Sequence, residues 1–200
     1  MEPARRTPHS PPALRAPVLV IMGVAGSGKS TVGRLLADRL GLEFAEADDF
    51  HPPANINRMR SGVALDEAAR QPWLRAIARW IAGRRRYGTG GVVTCSALKR
   101  RYRDLLREGD LPDDTPLSEI WFVYLATDPE VVADRIERRP AHFMPADLLP
   151  SQYADLEPLE PGEPGIAVDA GGRAAEVAEA ALRRLRTAGA TLPPLRGPSR

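Results

Sequence analysis

The sequence predicts an α/β domain in three layers, a five-stranded parallel sheet with helices on both faces. Three observations predict it. Short apolar runs alternate with stretches whose apolar residues recur at helical spacing. The runs are apolar at nearly every position, as strands buried on both faces must be. The first run passes through a glycine-rich turn straight into a helical pattern, the opening of a strand–helix–strand unit.

Residues 18–22 (VLVIM) form the first strand, and 31–40 a helix with Val32, Leu35, Leu36 and Leu40 on one stripe. A second strand is expected at 43–47. A long helix then spans 71–86, with Pro72 in its first turn and Trp73, Ile77, Trp80 and Ile81 facing the core. The third strand is 91–95 and a helix follows at 100–107. The fourth is 119–125 (EIWFVYL), with a helix starting near Asp128 and Pro129. Residues 165–168 make the fifth strand and 174–185 the closing helix. Between them, 138–165 carries Pro140, Pro145, Pro150, Pro158, Pro161 and Pro164, too long an interruption for an ordinary connection. It is either irregular packing or a cover over a site, and a lid is assigned to about 138–160. Residues 1–16, with Pro3, Pro8, Pro11 and Pro12, are expected to be a disordered arm, and 188–200 a disordered tail. That leaves 17–187 as the domain.

Composition bounds what such a domain does. At 200 residues and 43% hydrophobic content the chain builds one core. No uncharged apolar run approaches the ~18 residues of a spanning helix, and no apolar signal segment opens the chain. Cys95 is the only cysteine, which excludes an internal disulfide and a clustered-cysteine metal site. A reducing, cytoplasmic location is therefore expected. Twenty-eight basic against 26 acidic residues leave a net charge of +2, too balanced for a protein that lives on nucleic-acid phosphates. Of the 28 basic residues only Lys29 and Lys99 are lysines. In so arginine-biased a chain, lysine is expected where a compact point charge is needed.

Gly23, Val24, Ala25, Gly26, Ser27, Gly28, Lys29 and Ser30 match G-x-x-x-x-G-K-[ST] between a strand and a helix, the context the phosphate-binding P-loop requires. Glycines let the loop curl its N–H groups inward, and the helix start adds the positive end of its dipole. Lys29 reaches the terminal phosphates, Ser30 can ligate Mg²⁺, and Thr31 can touch the α-phosphate. ATP and Mg²⁺ are the cofactors this implies. The fourth strand ends Leu125-Ala126-Thr127-Asp128 without the acidic pair of large motor ATPases, and no guanine-reading motif is present. A small-molecule kinase of the P-loop NTPase class fits best.

Glu46 and Asp48 follow the second strand, at the sheet edge where ligands bind. A carboxylate there can take the acceptor proton or hold a magnesium-bound water. Lys99, after the third strand, can neutralise a substrate carboxylate or the migrating phosphoryl group, as can Arg103 and Arg107.

The chain also resembles the small P-loop gluconokinases, relatives of shikimate kinase. Residues 48–59 (DDFHPPANINRM) are similar to that family's D-x-x-H-P-x-x-N-x-x-K/R-M, and Arg70-Gln71-Pro72-Trp73-Leu74 to its R-x-P-W-L. Residues 95–107 (CSALKRRYRDLLR) resemble C-S-A-L-K-x-x-Y-R-D-x-L-R. His142-Phe143-Met144, Leu149 with Ser151-Gln152-Tyr153, and Leu156-Glu157-Pro158 complete the series. The resemblance implies ATP-dependent phosphorylation of D-gluconate at its 6-hydroxyl, with shikimate-type or another small sugar-acid kinase as the alternative. It implies Lys29, Asp48, Lys99 and Arg139 as catalytic groups. Asp48, His51, Asn55, Arg58, Lys99, Arg103 and His142 would line the substrate site. Arg135 would join the phosphate loop on the nucleotide, and Glu46 would join Ser30 at the metal. Ala68, Ala69 and Ala141 depart from the family pattern. A homodimer is carried over from the family, and exposed Trp73 or Trp80 would mark its face. A nucleotide-sensing protein without catalysis would lack the acceptor acid and lid cations that this chain keeps.

Overall fold

A computed structural model of the chain describes residues 15–61, 63, 65–108, 119–138 and 149–197. The elements run β1 (Val18–Met22), α1 (Lys29–Leu40), β2 (Phe44–Ala45), a 3-10 turn (Ala47–Phe50), α2 (Pro53–Arg60), α3 (Glu67–Tyr87), β3 (Gly91–Thr94), α4 (Arg100–Glu108), β4 (Ile120–Ala126), α5 (Pro129–Glu137), α6 (Leu149–Asp155), β5 (Gly165–Asp169) and α7 (Ala174–Thr187). The strands pair in the order β2-β3-β1-β4-β5, and every pairing is parallel.

β1 shows why its sequence is apolar throughout. Leu19 and Ile21 pack with α1 and α7 on one face, while Val18, Val20 and Met22 pack with α3 and α4 on the other. The chain leaves β1 toward one side of the sheet to form β2, and leaves β3 toward the other to form β4. Such a switch in winding direction opens a crevice at the carboxyl ends of the strands.

Several boundaries differ from expectation for physical reasons. β2 is only two residues long, because the chain turns at Ala47. There the backbone groups are claimed from outside the sheet: Ala47 N–H donates to Thr94 Oγ1 at 3.1 Å, and Trp73 Nε1 donates to Ala47 O at 2.7 Å. α3 begins at Glu67, with Asp66 as its cap accepting from Ala69 N–H at 2.8 Å. Pro72 therefore lies inside the helix, where it forgoes one i→i−4 bond. Trp73 is 7% exposed, so it is not the exposed tryptophan expected, and Trp80 is half-buried against Gly91. In the proline-rich stretch, 149–155 is helical and 139–148 lies outside the described residues, as do residues 1–14 of the expected arm.

The expected disordered tail is a correction. Residues 188–197 lie along the α1/α7 layer, with Ala190 buried and Leu192 and Leu195 packed on the core. Thr191 N–H donates to Glu119 at 3.1 Å and Arg196 N–H to Arg39 O at 2.7 Å. Proline content suggested disorder, but leucines spaced three apart bury against α1 and α7.

Arg103 is a second correction. Its guanidinium is 0% exposed and cannot line a substrate site. It donates to both Glu163 carboxylate oxygens, at 2.7 and 2.9 Å, and to the carbonyls of Ala97, Leu98, Glu157 and Pro158. The planar fork thus ties the strap after α6 to α4 and to the loop after β3. Burial pushes the Glu163 carboxyl up, but hydrogen bonds from Arg103 and Glu160 N–H, with the charges of Arg103 and Arg100, hold it below its ordinary value.

Arg103→Met should cost about 3–5 kcal/mol of stability, because it strands a buried carboxylate, whereas Arg103→Met with Glu163→Leu should regain most of the loss. Urea denaturation checks both, and a double variant as unstable as the single would refute the explanation. The lowered Glu163 value means that the folded state binds fewer protons than the unfolded chain. The pair's contribution is accordingly full above the ordinary carboxyl range and lost as pH falls through it. Removing the pair should flatten that acid slope.

Candidate active site

The phosphate loop hangs between Met22 and α1. Gly23 holds φ +141°, and a Cβ there would sit 3.0 Å from both Leu125 O and Ser27 Oγ. Gly26 holds φ +79°, with Val132 Cγ1 2.9 Å from where its Cβ would stand. Neither position admits a side chain, which is why the loop needs glycine there. Ser27 is 1% exposed and its hydroxyl has no partner among the described residues. Lys29 opens α1, and its Nζ donates to Val24 O at 2.8 Å, folding the ammonium over the loop. Ser30 and Thr31 are exposed in the first turn. A curled loop, an inward cation and an orphaned buried hydroxyl suit a polyphosphate. Gly23, Val24, Ala25, Gly26, Ser27, Gly28, Lys29, Ser30 and Thr31 thus occupy one loop and helix start.

The acids after β2 lie beside it. Glu46 Oε1 accepts from Ser30 Oγ at 3.0 Å and also from Thr94 Oγ1, and Arg34 lies 3.8 Å from Oε2. Glu46 and Ser30, paired in the sequence reading as metal groups, are in contact. Thr94 was missed. Its buried hydroxyl donates to Glu46 while accepting from Ala47 N–H, so one side chain sets both the acid and the turn that carries Asp48. The available signal was a polar residue ending the apolar run GVVT, at the strand end that faces ligands. Among the described residues no three His, Cys, Asp or Glu gather as a metal cage. Ser30 and Glu46 suit Mg²⁺, which is commonly held by few protein groups together with phosphates and waters.

Asp48 is exposed on the 3-10 turn. Its charge and that of Lys29 both act on the buried Cys95 thiol at the end of β3, which burial pushes up to about 12. Cys95 itself is buried and stays protonated, so it serves as packing. His51 stacks on Trp73, with ring centroids 4.6 Å apart and planes at 8°. Burial holds it below its ordinary value against the opposing pull of Asp48, and its buried Nδ1 has no partner among the described residues. A neutral ring beside the acid is left with hydrogen-bonding capacity.

Other expected residues are engaged elsewhere. Asn55 is buried and donates to Ala69 O at 2.7 Å, fastening α2 to α3. Arg58 pairs with Asp66 at 3.2 Å. Lys99 follows Ala97, whose φ of +43° marks a tight turn after β3, and its Nζ lies 2.9 Å from Asp155 Oδ1. Arg135 donates to the carbonyls of Gly171 and Gly172, at 3.1 and 3.2 Å, in the loop after β5. Arg139 and His142 lie outside the described residues.

The shikimate kinase family model matches residues 25–146. A gluconokinase from Gluconobacter oxydans is 50% identical over 144 residues, covering 72% of this chain and 77% of that protein. A crystal structure of a sugar kinase from Janibacter sp. HTCC2649 superposes with a TM-score of 0.76 at 47% identity, covering 86% of this chain and 95% of the other. A gluconokinase structure from Sinorhizobium meliloti gives 0.74 at 41% identity, over 87% and 93%.

Thr94→Val, which keeps the shape and removes the hydroxyl, should lower turnover by about 10–100-fold, the range typical of losing an outer partner of a ligating group. Thr94→Ser should restore most of it. Steady-state kinetics beside urea denaturation checks this, and a Val variant with full turnover would show that the contact is only structural.

Proposed function

The chain belongs to the shikimate kinase family and, within it, to the gluconokinases, and we propose that it transfers a phosphoryl group from ATP to the 6-hydroxyl of D-gluconate. The observation that carries the mechanism is the 3.0 Å hydrogen bond from Ser30 Oγ to Glu46 Oε1, which ties the start of α1 to the segment that turns into Asp48. It supports a donor and an acceptor group meeting across one crevice.

Bound ATP with Mg²⁺ supplies the terminal phosphoryl group and the negative charge that must be neutralised. Gly23, Ala25 and Ser27 already spend their N–H groups on Ser96 O, Gln152 Oε1 and Val24 O, so the loop's other N–H groups and Lys29, which would exchange Val24 O for a phosphate oxygen, are the proposed phosphate contacts. Ser30 and Glu46 are the proposed magnesium-side groups, Ser30 as a ligand and Glu46 through water. Asp48 is the proposed base: the 6-oxygen takes the phosphoryl group as the γ-phosphorus parts from the bridging oxygen that leaves with ADP, and the hydroxyl proton passes to the carboxylate. His51, neutral and stacked on Trp73, presents a hydrogen-bonding edge to a polyol. Lys99 is the proposed cation for the substrate carboxylate or the migrating group. Arg58 would have to leave Asp66 to take part, and the bond from Asn55 to Ala69 makes a positioning role more natural than substrate contact. Arg135, Arg139 and His142 are retained as proposed closing groups. No helix among the described residues is long and apolar enough to cross a membrane. The proposed workplace is the cytoplasm, where ATP and sugar acids meet, with a homodimer as the proposed assembly.

ADP release against a panel of sugar acids and shikimate should show gluconate as the preferred acceptor, and equal slow turnover of all of them would refute the assignment. Lys29→Ala should abolish nucleotide-dependent turnover. Asp48→Asn should cut kcat by about 10²–10⁴-fold with little change in ATP affinity. An unchanged rate would remove Asp48 from the chemistry.

A further inference from the structure

Helix α6 spans only Leu149–Asp155, yet its side chains reach three separate loops of the site. Gln152 Oε1 accepts a hydrogen bond from Ala25 N–H, inside the phosphate loop, at 2.7 Å. Asp155 Oδ1 lies 2.9 Å from Lys99 Nζ, after β3. Tyr153 OH donates to Thr127 O at 2.7 Å, after β4. Beneath these contacts Leu149, Tyr153 and Leu156 pack with Val24, Leu98 and Val132 in a small cluster of their own. Just beyond the helix, Glu157 N–H donates to Leu98 O at 2.9 Å, and the buried Arg103–Glu163 pair fixes the strap that follows.

We propose that α6 is a splint for the active site, with Gln152 and Asp155 as positioning residues for the phosphate loop and for Lys99. Residues three apart lie on one helix face, so a single rigid element sets both contacts together. The loop gains from being held. Gly23, Gly26 and Gly28 leave it conformationally free, and fixing one of its peptide planes beforehand reduces the ordering cost of anion binding. An amide oxygen suits the task because it accepts from Ala25 N–H without setting a negative charge beside phosphates. Lysine, on a flexible four-carbon stem, needs a partner to hold its ammonium in one place, and Asp155 is that partner. The Asp155 half rests on the proposed phosphoryl transfer, whereas the Gln152 half needs only nucleotide binding.

Two near-isosteric variants separate the halves. Gln152→Met keeps the bulk and removes the acceptor, and Asp155→Asn keeps the shape and removes the charge. ADP titration by calorimetry is read beside kcat at saturating ATP and gluconate. Gln152→Met should weaken ADP binding by about tenfold, the effect of one hydrogen bond, with kcat changed by less than about twofold. Asp155→Asn should do the reverse, lowering kcat by about tenfold with ADP affinity nearly unchanged. General destabilisation would not produce opposite splits. Unchanged ADP affinity in Gln152→Met overturns the splint. Tighter binding overturns it too, because Gln152 would then be standing in an anion's place. Unchanged kcat in Asp155→Asn overturns the lysine half. Should Gln152→Met fail to fold, Gln152→Glu keeps the acceptor and adds a charge. It should retain the wild-type melting temperature while binding ADP more weakly, and wild-type affinity would refute the placement. Wild-type protein inert toward gluconate would defeat the proposed reaction but leave the ADP arm decisive.

Discussion

The parallel pairing of β1 with β3 and β4 is the constraint from which the site follows. Met22 is in register with Tyr124 and Ile21 with Thr94, so the three strands end at the same edge, staggered by about three residues. Whatever follows them must share the same small volume. The chain makes that explicit where Gly23 N–H donates to Ser96 O at 3.3 Å, joining the start of the phosphate loop to the end of β3. Because β1 is buried on both faces, this edge moves only if the core does. The glycine loop can therefore be flexible without the site being imprecise.

Positive charge is divided by chemistry. Arginine, with its planar fork, performs the fastening: Arg103 binds the strap, Arg135 the loop after β5, and Arg100 reaches Asp104 and Glu160. The two lysines stand at loops of the proposed site, one on the phosphate loop and one held by Asp155. A guanidinium already satisfied by several carbonyls cannot readily be released to a substrate, whereas a compact ammonium on a flexible stem can exchange a carbonyl or carboxylate for a phosphate oxygen. That difference fits the buried, fully bonded place of Arg103, which takes it out of the expected substrate set.

Most of the scaffold was legible because its signals are local. Continuous apolar runs marked β1, β3 and β4, and the loop sequence marked its own turn and the helix after it. What the sequence hid was decided by partners far along the chain. β2 ends at Ala45 and the chain turns at Ala47 because Thr94 and Trp73 claim Ala47's backbone, contacts 47 and 26 residues distant. Pro72 looked like a helix start because the capping Asp66 carries the same weight as any loop acid until its side chain is seen bonding Ala69 N–H. The tail looked disordered because proline dominates its composition, whereas its leucines bury against two helices remote in sequence. Ser30 was legible from the loop motif and Glu46 from a strand end, but Thr94, whose hydroxyl bonds Glu46, carries no motif.

Unpartnered buried atoms give the last step. Among the described residues, three buried side-chain nitrogen or oxygen atoms lack a hydrogen-bond partner, and two of them, Ser27 Oγ and His51 Nδ1, belong to the phosphate loop and the acceptor side. Each such atom costs roughly 1–3 kcal/mol of stability when nothing answers it. The rest of the site shows no tolerance for such loss: Thr94, Trp73 and Asn55 all direct their polar atoms onto partners. Polar atoms left with unspent hydrogen-bonding capacity at these two points are what a chain keeps when a polar ligand completes the set. Stability and function then pull in opposite directions at Ser27 and His51, and replacing either with an apolar residue of its own size would favour the fold at the expense of the site.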